Sequence, residues 1–384
     1  MMKVAHILSY YPGQEGLTSF CRGLGKAFQN QSGIEVPIIT FRSKPVRNPG
    51  QDEDSLVLKF PHHQRHPFDL PRDFLAALDE GRLTLNGVVL HGTYSPQVFA
   101  LARALHRRGI AYIFMPHDPY VASLRRHHAV RKFVYWHLCE KWVIKNAKAI
   151  QLLADEHEAP LRELGCNTPV FTLANGCDPS TIQNLDLERR IPGKGDDFVI
   201  QYLGRMDRNH KGLDLLIRGY AQFVQELGDQ ANVKLILSGN DWEDREFLEA
   251  LATELNLGER IEFTGRLSET SVEVHSRADL SVLCSRFDGF GLTIVEAMLA
   301  RRPVLVSCEA GISGFVRDAD AGFVVKPDVL AIARGLRSAW EKREVLDDMG
   351  KRGQKIVLND LTWESVALRS HEIYKKVFAE QSAH

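Results

Sequence analysis

Ser285-Arg286-Phe287-Asp288-Gly289-Phe290-Gly291-Leu292-Thr293-Ile294-Val295-Glu296-Ala297 is the stretch that decides how this 384-residue chain folds. It follows Leu280 to Leu283, a short apolar run suited to a buried strand, and leads into an apolar helical pattern from Thr293 to Ala300. A strand that passes through a glycine turn into a helix is a unit of an open α/β sheet, in which ligands sit beyond the carboxyl ends of the strands. Gly289 and Gly291 let the backbone approach a ligand closely, and the first amides of the helix form an anion site. Asp288 and Glu296 put one carboxylate in the loop and the other about a turn inside the helix, so the two can meet different parts of one polar ligand.

The same alternation extends in both directions. In the second half, Phe198 to Leu203, Val233 to Leu237, Ile261 to Thr264, Leu280 to Leu283 and Val304 to Val306 read as strands, with helices around Leu213 to Leu227, Asp244 to Leu255 and Thr293 to Ala300. In the first half, Val4 to Leu8, Val36 to Phe41, Val88 to His91, Tyr112 to Met115 and Ile150 to Leu153 read as strands. Between them Ser95 caps a helix that Pro96 opens and Gly109 ends. Residues 186 to 197 are polar, carry Pro192, Gly193 and Gly195, and form the expected hinge. The expectation is an α/β protein of two Rossmann-like parallel-sheet lobes facing a cleft, residues 1–188 and 189–384. The amphipathic stretch Thr362 to Phe378 has no strand after it and is expected to return to the N-terminal lobe.

Composition agrees with two soluble lobes, since 44% of residues are hydrophobic and 25% charged, which excludes a disordered or fibrous chain. The formal net charge is -1, with the basic excess in the first half and the acidic excess in the second. Nucleic acid is not an expected partner. The six cysteines are widely spaced, with no metal-ligand pattern, and read as reduced thiols of a cytoplasmic protein. No apolar run is long enough to span a bilayer, so peripheral contact at the inner face of the membrane is the alternative location.

A second loop, Leu203-Gly204-Arg205-Met206-Asp207-Arg208-Asn209-His210-Lys211-Gly212, leaves the first strand of the second lobe. Cations beside glycines at such a turn can neutralise a diphosphate. Together with Asp288 and Glu296, separated by seven residues and with Gly-Phe-Gly after the first, this order resembles the family 4 (group 1) retaining glycosyltransferases of the two-lobed GT-B fold. The resemblance covers nearly the whole chain. It implies that Glu296 binds the ribose hydroxyls of a nucleotide diphosphate sugar and that Asp288 contacts hydroxyls of the donor sugar. Gly289, Phe290, Gly291 and Leu292 would support the donor, Arg205 and Lys211 would meet its diphosphate, and Arg266 and Leu267 would lie by the base. Asp288 stands where the family generally has Glu, and Gly314 where many members have an acidic residue.

In the first lobe, Tyr11 to Thr18 joins a strand to a helix, and the resemblance brings this loop, with Gly13 and Gly16, to donor phosphate and acceptor. Met115-Pro116-His117-Asp118 resembles the element that carries the family's cleft histidine, which places His117 near the transferred sugar. Ala174-Asn175-Gly176-Cys177-Asp178 resembles a marker near the lobe boundary. Arg125 to Lys148 mixes basic and aromatic residues, and reads either as an ordinary lobe helix or as a surface that meets membrane and a lipid-linked acceptor.

The expected activity is retaining glycosyl transfer to a hydroxyl of a carbohydrate, lipid-linked or small-molecule acceptor, in polysaccharide or glycolipid biosynthesis. Arg205 and Lys211 would stabilise the departing diphosphate, and Asp288 and His117 would orient the sugar. Metal and cofactor are expected to be absent, because cations and helix amides do the electrostatic work; Asp318-Ala319-Asp320 reads as an incidental surface turn. The alternatives are a nucleotide-sugar epimerase of the same fold, which would need no acceptor, and a non-catalytic sugar-nucleotide-binding protein.

Overall fold

The computed structural model describes residues 1–8, 15–29, 31, 33–41, 56–61, 65–117, 120, 129–183, 185, 187, 198–228, 232–241 and 243–379. Contacts divide the chain into two compact units, Met1–Gly176 with Trp363–His384, and Cys177–Thr362. The expected boundary at 188/189 therefore differs from the observed one, for a local reason. Cys177 donates its amide to the carbonyl of Leu361 (2.8 Å) and pairs with Thr362 in a parallel bridge, while Arg302 donates to the carbonyl of Leu187 (3.0 Å). These bonds tie the segment after Gly176 to the second unit. The proposed hinge, apart from Leu187, lies outside the described residues.

The first unit is built on strands β1 (Met2–Leu8), β2 (Ile34–Glu35), β3 (Ile38–Thr40), β4 (Val57–Lys59), β5 (Gly87–His91), β6 (Tyr112–Met115), β7 (Ala149–Leu152) and β8 (Val170–Thr172). They form a parallel sheet in the order β4-β3-β1-β5-β6-β7-β8, with β2 beside β1. β5, β6 and β7 are buried on both faces, which is why each reads as a continuous apolar run rather than an alternating one. The helix Pro96–Arg107 begins as expected: Ser95 accepts the amide of Val98 (3.4 Å) and Pro96 takes the first turn. The helix Trp363–Phe378 belongs to this unit. Its Tyr374 stacks on Phe28 at 6.2 Å between ring centroids, and Phe378 fills the space that a side chain on Gly87 would need.

The second unit carries β9 (Phe198–Leu203), β10 (Val233–Ser238), β11 (Ile261–Gly265), β12 (Leu280–Leu283), β13 (Val304–Ser307) and β14 (Gly322–Val325). All pairs are parallel, in the order β11-β10-β9-β12-β13-β14. The order reverses between β9 and β12. Loops leaving the carboxyl ends of these two strands splay to opposite sides of the sheet and open a crevice, the usual ligand position of such a sheet.

Candidate active site

Both chemistry-bearing loops of the second unit leave the sheet at that reversal. The first follows β9. Gly204 lies under Gly239, which has φ +140° and comes so near that a Cβ on it would stand 1.8 Å from the Gly204 carbonyl oxygen. Asp207 caps the short helix Arg208–Lys211 by accepting the His210 amide (2.9 Å), and its other oxygen meets His210 Nδ1 (2.8 Å). Gly212 ends that turn at φ +64°. A Cβ there would stand 2.4 Å from the Cys284 carbonyl oxygen, so only glycine lets this loop lie on the end of β12.

That close approach puts Lys211 Nζ 2.5 Å from Asp288 Oδ2, although 77 positions separate them. The other Asp288 oxygen accepts the Phe290 amide (3.2 Å), and the Asp288 backbone is held by Glu309 and Gly311 on the neighbouring loop (3.2 and 3.1 Å). The resemblance assigned Lys211 and Asp288 to different parts of a donor. The structure joins them in a mostly buried ion pair that fixes the lysine at the crevice.

Arg286 is the residue that sequence reasoning passed over. Its guanidinium grips both oxygens of Asp214 (2.7 Å each) and the Arg208 carbonyl (2.5 Å), so it pins the β9 loop to the β12 loop from behind. The only signal was its place directly after the strand, inside the stretch that carries Asp288. Arg208, given no role, is structural as well: it pairs with Asp244 (3.0 Å) and lies over the Phe247 ring. Arg205 is exposed at the carboxyl end of β9, its carbonyl accepting the Tyr202 hydroxyl (2.7 Å).

Gly291 starts the helix Leu292–Leu299 at φ +92°, and no side chain caps that helix. Its first amides therefore keep their donor capacity for an incoming anion or hydroxyl. Glu296 sits one turn along. Burial pushes its carboxyl up to about 7, against the pull of a hydrogen bond from the Ser271 side chain. Such a carboxylate gains most from a partner that supplies hydroxyl donors. Arg266 and Leu267 follow β11, two strands from the reversal, the first exposed and the second half-buried.

In the first unit Gly13 lies outside the described residues and Gly16 is in the first turn of the helix Glu15–Gln29. His117 follows β6 at φ +63°, a left-handed conformation uncommon for a residue with a side chain and frequent where a site re-aims one. Its Nε2 meets His91 Nδ1 at 2.7 Å. Burial drives its pKa down to about 4, so it is a neutral imidazole at neutral pH.

The basic, aromatic stretch divides its residues by face. Trp136, Val143 and Ile144 are core, whereas Val130, Phe133 and Leu138 are 80, 66 and 70% exposed, beside exposed Arg131, Lys141, Lys145 and Lys148. Residues 125–128 lie outside the described residues. Among the described residues no helix is long and apolar enough to cross a membrane.

These features define a ligand crevice of an open α/β sheet, lined by a paired lysine, an uncapped helix start and a buried carboxyl. Residues 185–356 match the family described as glycosyl transferases group 1, and residues 15–176 match the glycosyl transferase 4-like domain. The chain belongs to the group 1 glycosyltransferases and has their GT-B fold. It is 25% identical to an uncharacterized glycosyltransferase of Methanocaldococcus jannaschii, across 97% of this chain and 98% of that one. Its fold is similar to that of a sucrose-phosphate synthase from Thermosynechococcus elongatus (TM-score 0.73, 22% identity, 99% of this chain and 100% of that one). It is also similar to Anabaena Alr3699/HepE, solved in complex with UDP and glucose (TM-score 0.72, 18% identity, 98% and 100%). The family matches describe glycosyl transfer and do not favour the epimerase alternative.

Proposed function

We propose that this glycosyltransferase moves a hexose from a nucleotide diphosphate sugar to an acceptor hydroxyl with retention of the anomeric configuration. The observation that carries the reading is the crevice between β9 and β12. There Asp288 holds Lys211, and the loop that carries Asp288 runs on into an uncapped helix start and a buried Glu296. In this reading Glu296 accepts the ribose hydroxyls, the amides around Gly291 and Leu292 take phosphate or sugar oxygens, and Lys211 with Arg205 neutralises the diphosphate as the glycosidic bond breaks. Asp288 keeps one oxygen on Lys211 and offers the other, now on the Phe290 amide, to a sugar hydroxyl. His117, Gly13 and Gly16 are assigned to the transferred sugar and acceptor.

Asp288 is engaged on both oxygens, by Lys211 and by the Phe290 amide, which suits it to orienting a sugar rather than to attacking one. A front-face route, in which the leaving phosphate helps deprotonate the acceptor, suits that arrangement. Cationic side chains then do the work of a divalent ion. Asp320 of the Asp-x-Asp match is bound to Arg352 (2.7 Å), which leaves that pair ill suited to a metal.

The exposed apolar face around Phe133 and Leu138, ringed by cations, fits an anionic membrane surface, and hence a lipid-linked acceptor presented at the cytoplasmic face. The deciding experiment incubates the protein with UDP-, GDP- and ADP-sugars and an acceptor panel, in chelator, and reads nucleoside diphosphate release together with the anomeric configuration of the product by NMR. Transfer with inversion would defeat the retaining mechanism. Reversible loss of activity in chelator would defeat the metal-free one.

A further inference from the structure

Three histidines of the first unit stand in line on adjacent strands. His6 lies on β1 and pairs in register with Val89 of β5; His91, two residues further along β5, projects from the same face. His117 follows β6, whose Met115 is the register partner of His91. His6 Nε2 is 3.1 Å from the Tyr374 hydroxyl, His6 Nδ1 is 2.9 Å from His91 Nε2, and His91 Nδ1 is 2.7 Å from His117 Nε2.

The polarity of this chain follows from its far end. Tyr374 is fully buried, and among the described residues its hydroxyl has one hydrogen-bond partner, His6 Nε2. A buried hydroxyl needs an acceptor for its proton, so Tyr374 donates and His6 Nε2 accepts. Neutral His6 then bears its proton on Nδ1 and donates it to His91 Nε2. His91 in turn bears its proton on Nδ1 and donates to His117 Nε2. The reverse polarity would leave the phenol proton with no acceptor.

We propose that Tyr374, His6 and His91 are positioning residues that order a one-way hydrogen-bond chain and thereby fix His117 as the tautomer protonated on Nδ1. Burial supports it by keeping one proton per ring, since it lowers His6 to about 3 and His117 to about 4, and holds His91 well below the ordinary histidine range. Resting on the assignment of His117 to the transferred sugar, the consequence is that His117 meets that sugar as a hydrogen-bond donor from Nδ1. It does not serve as a general base.

His6, Cys21 and His91 also bring ligand atoms within 4.8 Å of one another, which raises a metal as the rival explanation. Two imidazole nitrogens on one tetrahedral zinc, each at about 2.0–2.1 Å, would stand about 3.3 Å apart. The 2.9 Å between His6 and His91 is instead hydrogen-bond spacing. A metal would also force the His6 proton onto Nε2.

The test is long-range proton–nitrogen NMR on the full chain with labelled histidines, without substrate, at neutral pH, the three rings being assigned by single His→Asn variants. Protons on Nδ1 of His6, His91 and His117 are expected. In Tyr374→Phe the His117 signals should move towards a mixture of tautomers. A His117 proton on Nε2, or a His6 proton on Nε2, in the unmodified protein overturns the proposal, and so does an unmoved His117 tautomer in a folded Tyr374→Phe. If that variant fails to fold, the unmodified spectrum still decides. Full transfer activity in His117→Ala would instead remove the assignment of His117 to the sugar and leave the tautomer result standing.

Discussion

Glu296 offers the sharpest perturbation, because its burial makes donor binding compete with a proton. Its carboxyl is raised from 4.5 to about 7, and a shift of that size corresponds to about 3 kcal/mol held against the ionised form at 1.36 kcal/mol per unit. If two ribose hydroxyls donate to its two oxygens, the ligand selects the carboxylate. The dissociation constant of a nucleotide sugar should then be flat above about pH 8 and rise towards tenfold per unit below 7, approaching ~100-fold by pH 5. A nucleotide sugar is the right probe, since its esterified diphosphate lacks the phosphate ionisation near 6 that would distort a profile with a free nucleoside diphosphate. Titration calorimetry from pH 5 to 8 reads the effect. Glu296→Gln should bind more weakly at pH 8 and show no such profile. It should also fold more stably at pH 8, by up to about 3 kcal/mol, because a group whose folded pKa is raised loses stability as pH climbs through that value. A flat profile in the unmodified protein, or the same profile surviving in Glu296→Gln, would refute the assignment of Glu296 to the ribose.

The donor crevice should also respond to its geometry. Gly212→Ala, with φ +64° and a Cβ 2.4 Å from the Cys284 carbonyl oxygen, should destabilise the fold by more than ~1 kcal/mol and abolish nucleotide binding, measured by melting with and without UDP. Lys211→Ala should weaken donor binding about tenfold or more through loss of a charge-assisted contact, and unchanged affinity would exclude Lys211 from the diphosphate site. Leu138→Ser with Phe133→Ser should reduce co-sedimentation with anionic vesicles while leaving donor affinity unchanged; equal sedimentation would dismiss membrane docking. Acid should destabilise the first unit. Burial lowers His6 to about 3 and His117 to about 4 from 6.5, so the unfolded chain takes up more protons as pH falls below about 6.5, and a loss of about 3 kcal/mol from each, roughly 6 together, is expected by pH 4 in denaturant titrations.

What was legible in the sequence was local. The Ser95-Pro96 helix start, the Gly-Phe-Gly turn and the long apolar strands carry their signal within a few residues, and the structure forms them where their residues place them. The strands β4, β8 and β14 were not foreseen. All three are edge strands of three or four residues and none is wholly buried, and an apolar run as short as Phe323-Val324-Val325 does not by its period tell a strand from a piece of helix. The lobe boundary was missed for a different reason. Polar composition marks a linker, but the first unit ends at Gly176, where one backbone bond and one bridge to residues near 361 and 362 outweigh composition.

Charge pairs and tautomers depend on strand order, which no window of sequence displays. Lys211 and Asp288 meet because β9 and β12 are neighbours and Gly212 admits the contact; His6, His91 and His117 meet because β1, β5 and β6 are neighbours. In both sheets the chain starts in the interior, at β1 or β9, and adds strands on either side, so the loops leaving the first strand and the first strand beyond the reversal must converge. A histidine on β1 and a cation after β9 therefore occupy corresponding topological positions. Each prepares a residue that is already committed to a partner, Asp288 to Lys211 and His117 to His91, before any substrate arrives. On the proposed function, preorganisation of this kind would place the electrostatic work in folding and leave little reorganisation for the reaction step.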